Sequence, residues 1–331
     1  MNDQELIQYL VKKGLLETTS VESTPLNGGV SCQILLIDDG KHRFVLKRAL
    51  EKLKVKDDWF ADIKRNIVEQ DYLKFVGEIL PGAVPKIIYS DKEHYFFCME
   101  MLENGLENWK EQLLAKQLQP NYAIQAGKIL GIIHSNSADN KELAEQFDTL
   151  ESFKELRIEP YLLKTGERHP ELQKYFIAEG IRLAKQKKCL VHGDYSPKNI
   201  LVSPDRMVVL DCEVAWYGDP IFDVAFLLNH FMLKALHIPE YANQFMQLAK
   251  EMLKAYEEKA GAVISSDFEQ QLTHLLLMLM LARVDGKSPV EYLDEQQQQV
   301  VRDFVYENLP IQHNSLEELT SKWLKINKVV I

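Results

Sequence analysis

His192, Gly193 and Asp194 are followed, after four intervening residues, by Asn199, and twelve positions beyond that by Asp211-Cys212-Glu213. A carboxylate, an amide and two further carboxylates in this order are the donors that phosphoryl transfer requires. One carboxylate orients an attacking hydroxyl and takes its proton; hard oxygen donors hold the Mg²⁺ that offsets phosphate charge. Between Asn199 and Asp211 two short apolar runs flank Ser203-Pro204-Asp205, a turn sequence. A hairpin there would bring Asn199 and Asp211 to one mouth, with Asp194 upstream on the same side. Each residue alone is an ordinary turn or cap former. Together, within residues 190–229, they favour the chemical reading.

The segments HGDYSPKNILV (192–202) and LDCEVAWYGDPIFDVA (210–225) resemble the catalytic core of the superfamily of aminoglycoside phosphotransferases, choline kinases and methylthioribose kinases. This is the small-molecule branch of the protein-kinase-like fold. The likeness is strong over the loop and looser over about residues 15–235. It implies that Asp194 is the catalytic base, that Asn199 and Asp211 are Mg²⁺ ligands and that Glu213 is a further metal-site carboxylate. It also implies that Asp223 braces the catalytic loop by accepting backbone N–H bonds, with His192 as a second support. The cofactors it implies are ATP and Mg²⁺, and the acceptor is a hydroxyl of a small molecule: an amino alcohol, an aminoglycoside-like or a sugar-like compound. The D-x-E loop resembles that of methylthioribose kinases, although Asn199 is unusual for their catalytic loop. A protein kinase carries arginine where Gly193 stands, Phe-Gly in place of Cys212-Glu213 and lysine in place of Ser196. An atypical protein kinase and a nucleotide-binding pseudokinase with a regulatory role are the competing readings.

The elements that must position these residues change character along the chain. Residues 3–13 place Leu6, Ile7, Leu10 and Val11 on one face of a short helix. Residues 15–47 read as strands, with a hairpin at Asp38-Asp39-Gly40. Gly28 and Gly29 fit a tight turn by themselves; under the resemblance they form, with Ser31, the loop that lets backbone N–H groups approach phosphates. Lys47 closes the strand sequence FVLK. The resemblance makes it the phosphate-binding lysine, paired with Glu69 on a helix expected over 57–76. Pro81-Gly82 ends that helix, strands follow over 84–89 and 95–99, and the resemblance places a hinge where main-chain groups of Glu100 and Leu102 would bond adenine.

Beyond residue 103 the periodicity is helical. Gly127 and Gly131 lie four apart and permit close helix packing, and His134 reads as structural. By resemblance, helices within 136–187 shape the substrate cleft. Trp216 and Tyr217 fit the cleft wall and the core equally well. Helices are expected over 222–235, 241–258, 268–284 and 316–326. Near the third, Arg283, Asp285 and Gly286 read as a helix end with a following proline, or alternatively as a place where Arg283 or Asp285 faces the acceptor. The expected architecture is α+β: a bilobal protein-kinase-like fold with a small antiparallel-sheet N-lobe carrying one helix, and a larger, mainly helical C-lobe. Residues 1–102 would be the nucleotide-binding lobe ending in the hinge, and 103–331 the catalytic and substrate-binding lobe.

Composition narrows the partners. A net charge of −10 disfavours nucleic acid and anionic membranes, both of which need a basic surface. Residues 1–102 hold 16 acids and 14 bases, leaving 33 acids and 25 bases for the remainder, so the second part carries the acidity. That field would suit a cationic substrate. The four cysteines form no CxxC pair and read as buried, reduced thiols of a cytoplasmic protein. The N-terminal residues lack the apolar stretch of a signal peptide, and the apolar run 275–282 is too short to cross a bilayer. No feature of the sequence specifies an oligomeric state.

Overall fold

A computed structural model describes residues 2–26, 32–50, 62–102 and 105–327. The chain divides into two units, Met1–Leu106 and Glu107–Ile331, a boundary a few residues beyond the one expected at 102.

In the first unit, helix α1 (Asp3–Lys12) starts from a reciprocal cap. The Asn2 side chain accepts the Glu5 N–H, and the Glu5 side chain accepts the Asn2 N–H. Leu6 and Leu10, one turn apart, are buried. Strands β1 (Glu22–Pro25), β2 (Cys32–Asp38), β3 (Arg43–Ala49), β4 (Ile87–Asp91) and β5 (Phe96–Glu100) form an antiparallel sheet ordered β1-β2-β3-β5-β4. Asp38 pairs with Arg43 across the β2–β3 turn, where Asp38 and Asp39 accept N–H bonds from Gly40 and Lys41.

Strand alternation decides what each face of β3 does. Phe44 and Leu46 join Leu6, Leu10, Leu35 and Ile37 in one apolar cluster. Val45 and Lys47 point the other way, toward the face that helix α2 (Arg65–Ile79) supplies with Glu69. Among its described residues this unit holds α1, where a short helix was expected over 3–13, besides α2, the one helix of the expected lobe outline. The cap and paired leucines of α1 let it close one face of the sheet.

The second unit is mainly helical. It opens with β6 (Glu107–Asn108), α3 (Trp109–Leu114), α4 (Pro120–Ser137), α5 (Lys141–Gln146) and α6 (Leu150–Phe153). Residues Lys154–Leu163 then run as a π-helix with Pro160 inside. Proline has no N–H to give the preceding turn, so the regular hydrogen-bond register fails there. After α7 (Lys164–Arg168) and α8 (Gln173–Lys185), β7 (Cys189–Val191) pairs with β10 (Trp216–Gly218), and the hairpin β8 (Ile200–Val202)–β9 (Met207–Val209) sits between them in sequence. Helices α9 (Ile221–His237), α10 (Ala242–Ala260), α11 (Phe268–Asp285), α12 (Glu295–Asn308) and α13 (Leu316–Asn327) complete it.

Helix α9 is buried from Ile221 through Leu236, as an all-round apolar helix must be. Helix α4 meets α10 through Gly127 and Gly131. A Cβ at Gly127 would stand 2.2 Å from the Met252 carbonyl oxygen, so only glycine allows this approach. The four cysteines are buried. No helix among the described residues is long and apolar enough to cross a membrane.

Candidate active site

The loop between β7 and β8 is held from below by a buried carboxylate. Asp223, in the first turn of α9, accepts the backbone N–H of His192 at 2.7 Å and of Gly193 at 2.9 Å. His134 anchors Asp223 in turn, with Nε2 3.4 Å from its Oδ2 and Nδ1 3.0 Å from the Tyr256 hydroxyl. Tyr195 donates its hydroxyl to the Ala126 carbonyl at 2.9 Å. These bonds fix the main chain on both sides of Asp194.

His192 ties this loop to the next. Its Nδ1 accepts the Asp194 N–H at 3.1 Å, and its Nε2 donates to the Leu210 carbonyl at 3.1 Å. That pairing requires the neutral ring, and burial supplies it by pushing the imidazole below its ordinary range, against the pull of Asp223 and Asp194.

Gly193 has φ +79, and a Cβ there would stand 2.6 Å from the Val214 carbonyl oxygen. An arginine at this position is excluded on both counts. The guanidinium comes instead from the π-helix. Arg157 donates from Nε to the Gly193 carbonyl and places Nη2 3.2 Å from Asp194 Oδ2. Lys198 Nζ lies 3.0 Å from the same oxygen. Asp194 is thus nearly buried and oriented by two cations. Neither cation was among the residues selected from sequence. Lys198 lies inside the motif and could have been noticed; Arg157 carries no local signal.

The β8–β9 hairpin forms the mouth anticipated for it. Ile200 pairs with Val209, and the Leu210 N–H reaches the Asn199 carbonyl at 2.8 Å, so Asn199 and Asp211 flank the open end. Asn199 Nδ2 donates to the Asp194 carbonyl at 3.0 Å, which commits the amide nitrogen and leaves Oδ1 as the donor oxygen for a cation. Asp211 adopts φ +63, a left-handed conformation that costs a non-glycine residue about 1–2 kcal/mol. Such strain concentrates where a side chain must be aimed. Glu213 is half-buried, two residues on, beyond the buried Cys212.

No three His, Cys, Asp or Glu side chains gather into an ion site among the described residues, so Glu213 completes no three-carboxylate cage with Asp194 and Asp211. Magnesium needs no such cage. It keeps waters and binds through one or two protein oxygens together with substrate phosphates. Asn199 Oδ1 and the Asp211 carboxylate fit that requirement by chemistry and by placement.

In the first unit Lys47 Nζ meets Glu69 Oε1 at 2.7 Å, and both side chains are buried. The Glu100 N–H is committed to the Lys86 carbonyl at 2.9 Å, so it does not face an adenine. Leu102 follows the strand and is half-buried. Gly28, Gly29 and Ser31 lie outside the described residues.

The residues suggested for the acceptor are placed otherwise. Trp216 pairs through β10 with Val191 and stacks on Phe153, ring centroids 4.3 Å apart. Tyr217 donates to the Ser137 carbonyl at 2.8 Å and accepts the Asn140 N–H at 3.0 Å. Both belong to the core, because pairing with β7 carries them inward, and the cleft-wall reading does not hold. Asp285 is held by Arg302 with two bonds of 2.8 Å and by His169 at 3.0 Å, so it is a helix-end anchor. Arg283 bonds the Ser288 carbonyl and hydroxyl with Nη1.

Comparison with known proteins agrees with this geometry. The model of the phosphotransferase enzyme family (APH) matches residues 22–262. Methylthioribose kinase of Geobacillus sp. (strain WCH70) is 26% identical over 307 residues, covering 81% of this chain and 72% of that protein. Among solved structures, ADP-bound aminoglycoside phosphotransferase APH(2'')-Ib aligns over 98% of both chains with TM-score 0.51 at 17% identity. A choline/ethanolamine kinase family protein from Mesorhizobium loti aligns over 100% of this chain and 95% of that one, with TM-score 0.50 at 13% identity. The structural likenesses carry the bilobal α+β kinase-like fold, and the sequence match carries the membership: with more than half its length matched, this chain belongs to the phosphotransferase enzyme family.

Proposed function

We propose that the protein transfers the γ-phosphoryl group of ATP, with Mg²⁺, to a hydroxyl of a small molecule. The observation that carries this reading is the carboxylate of Asp194, with its backbone fixed through Asp223 and His192 and its Oδ2 held by Arg157 and Lys198. A hydroxyl set against that carboxylate gives up its proton to Asp194 as its oxygen bonds to the γ-phosphorus. The bond from the γ-phosphorus to the bridging oxygen breaks and ADP leaves.

Asn199 and Asp211 are the residues that would hold Mg²⁺, which when bound offsets the phosphate charge. Lys47, fixed by Glu69, is assigned to the phosphates of the nucleotide, with Gly28, Gly29 and Ser31 as the loop over them and Glu100 and Leu102 as the adenine contacts. Glu213 is assigned as an additional carboxylate near the metal. The four buried cysteine thiols support a cytoplasmic setting. The methylthioribose kinase relative supports a small polyhydroxylated acceptor.

The test is ADP formation by the full chain with ATP and Mg²⁺ across a panel of hydroxylated metabolites, followed by mass spectrometry of the acceptor. A phosphorylated small molecule is expected. Phosphate appearing only on protein, or nucleotide binding without transfer to any acceptor, would overturn the assignment.

A further inference from the structure

Helix α9 carries a buried cation that nothing in the reaction above uses. Lys234 is fully buried, its Nζ has no hydrogen-bond partner among the described residues, and the Tyr292 ring centroid lies 5.1 Å away. A buried ammonium without a partner is costly, so a fold that retains one generally uses it.

Its neighbours deepen the imbalance. Arg283 leaves Nε without a partner among the described residues, and so does the Tyr292 hydroxyl. Lys110, on α3, is paired with Glu291, the carboxylate that offsets Lys234 in this group. Three cations therefore share one acid. Burial, then the charges of Lys110 and Arg283, lower Lys234 to about 7, with Glu291 acting in the opposite sense. His230, one turn before Lys234, is pushed well below its ordinary range by burial and by Lys234, Arg283, Lys198 and Lys110, so it is a neutral ring.

A chain of side-chain contacts runs from the group to Asp194. The His230 ring is 5.8 Å from Phe226, the Arg157 guanidinium is 6.0 Å from the same ring, and Arg157 is 3.2 Å from Asp194. Phe226 and Lys234 are eight residues apart on one helix, about 12 Å of rise. At the far end the Glu291 side chain is 64% exposed.

We infer that the acceptor is a hydroxylated anion, such as a sugar acid or hydroxy acid, whose hydroxyl meets Asp194 while its carboxylate is received by Lys234 and Arg283. This rests on the kinase reading and sharpens it. The anion supplies the counter-charge that the fold withholds, displacing Glu291 at the mouth. A cationic acceptor would meet three positive side chains here, so the net acidity of the second part of the chain does not set the sign at the site.

The test is calorimetric titration of the full chain, without nucleotide, using acceptors matched in skeleton and graded in charge: gluconate, glucose and glucosamine, and glycerate, glycerol and serinol. At least one anion is expected to bind tenfold or more tightly than its neutral and cationic counterparts. That preference should fall at least tenfold in Lys234→Met, which replaces the ammonium by an apolar chain of similar length and is suited to the buried site. Arg283→Gln provides a second, partly exposed variant with the same expected direction. No binding of either anion, equal binding to wild type and Lys234→Met, or preference for the amine would overturn the inference. The two readings separate cleanly. A protein that binds the anion but forms no ADP in its presence loses the kinase assignment alone, and one that phosphorylates glucosamine or serinol in preference loses only the anionic acceptor.

Discussion

Arg157 Nη2 stands 3.2 Å from Asp194 Oδ2, while the same guanidinium holds the Gly193 carbonyl one residue earlier in the loop. One side chain thus orients both the carboxylate and the backbone that presents it. Arg157→Gln is expected to lower kcat about 10–100-fold, the cost of a misplaced group, with little change in nucleotide affinity. Lys198→Met should do less, because that side chain is 51% exposed and its ion pair is screened. Steady-state kinetics beside a nucleotide titration checks both. An Arg157→Gln enzyme that loses nucleotide binding and turnover together would assign this residue a structural role instead.

Gly193 and Gly40 both have left-handed backbones, at φ +79 and +86, yet only Gly193 is crowded, with the Val214 carbonyl oxygen 2.6 Å from where a Cβ would be; at Gly40 nothing lies within 4 Å. Gly193→Ala should therefore cost about 3 kcal/mol, conformational strain plus a collision with backbone. Gly40→Ala should cost about 1 kcal/mol, the strain alone. Urea unfolding of the two variants measures the difference, and equal losses would show that the loop relaxes.

Lys234 links the acceptor inference to stability. Its pKa is about 7 in the folded chain against 10.5 ordinarily, so between those values the unfolded state binds more protons and stability rises with pH. Below pH 7 the full penalty is present. Lys234→Met should accordingly stabilise the protein by on the order of 3 kcal/mol near pH 6, with the gain shrinking toward pH 10. Thermal unfolding of wild type and variant across that range checks the sign. A variant that is less stable at pH 6 would mean that the ammonium has a partner.

The sequence made the candidate loop legible because its residues are close together in the chain. Asp194, Asn199 and Asp211 lie within eighteen residues, and a single hairpin turn suffices to gather them. Lys47 and Glu69 could be matched because a strand end and the following helix leave few choices. Whatever depends on distant pairing was not readable. Arg157 occurs in KELRIEPYLL, an ordinary charged helix in sequence, and only the π-helical segment around Pro160 turns it toward Gly193. Trp216 and Tyr217 follow Asp211 and Glu213 and so suggested a cleft, but antiparallel pairing with 189–191 draws them inward. Lys234, in FMLKALH, carries no local signal of burial; α10 and α11 pack on α9, and it is buried.

Asp194→Asn asks whether Asp194 removes the proton from an acceptor hydroxyl. The substitution keeps size and shape, so the amide can occupy the same place beside Arg157 and Lys198. Measured as phosphorylated acceptor formed per enzyme, with nucleotide affinity determined in parallel, the variant should bind ATP within a few-fold of wild type. Its transfer rate should fall by about 10²–10⁴, the contribution of a positioned base. An Asp194→Asn enzyme that transfers phosphate at the wild-type rate would show that Asp194 is not the base.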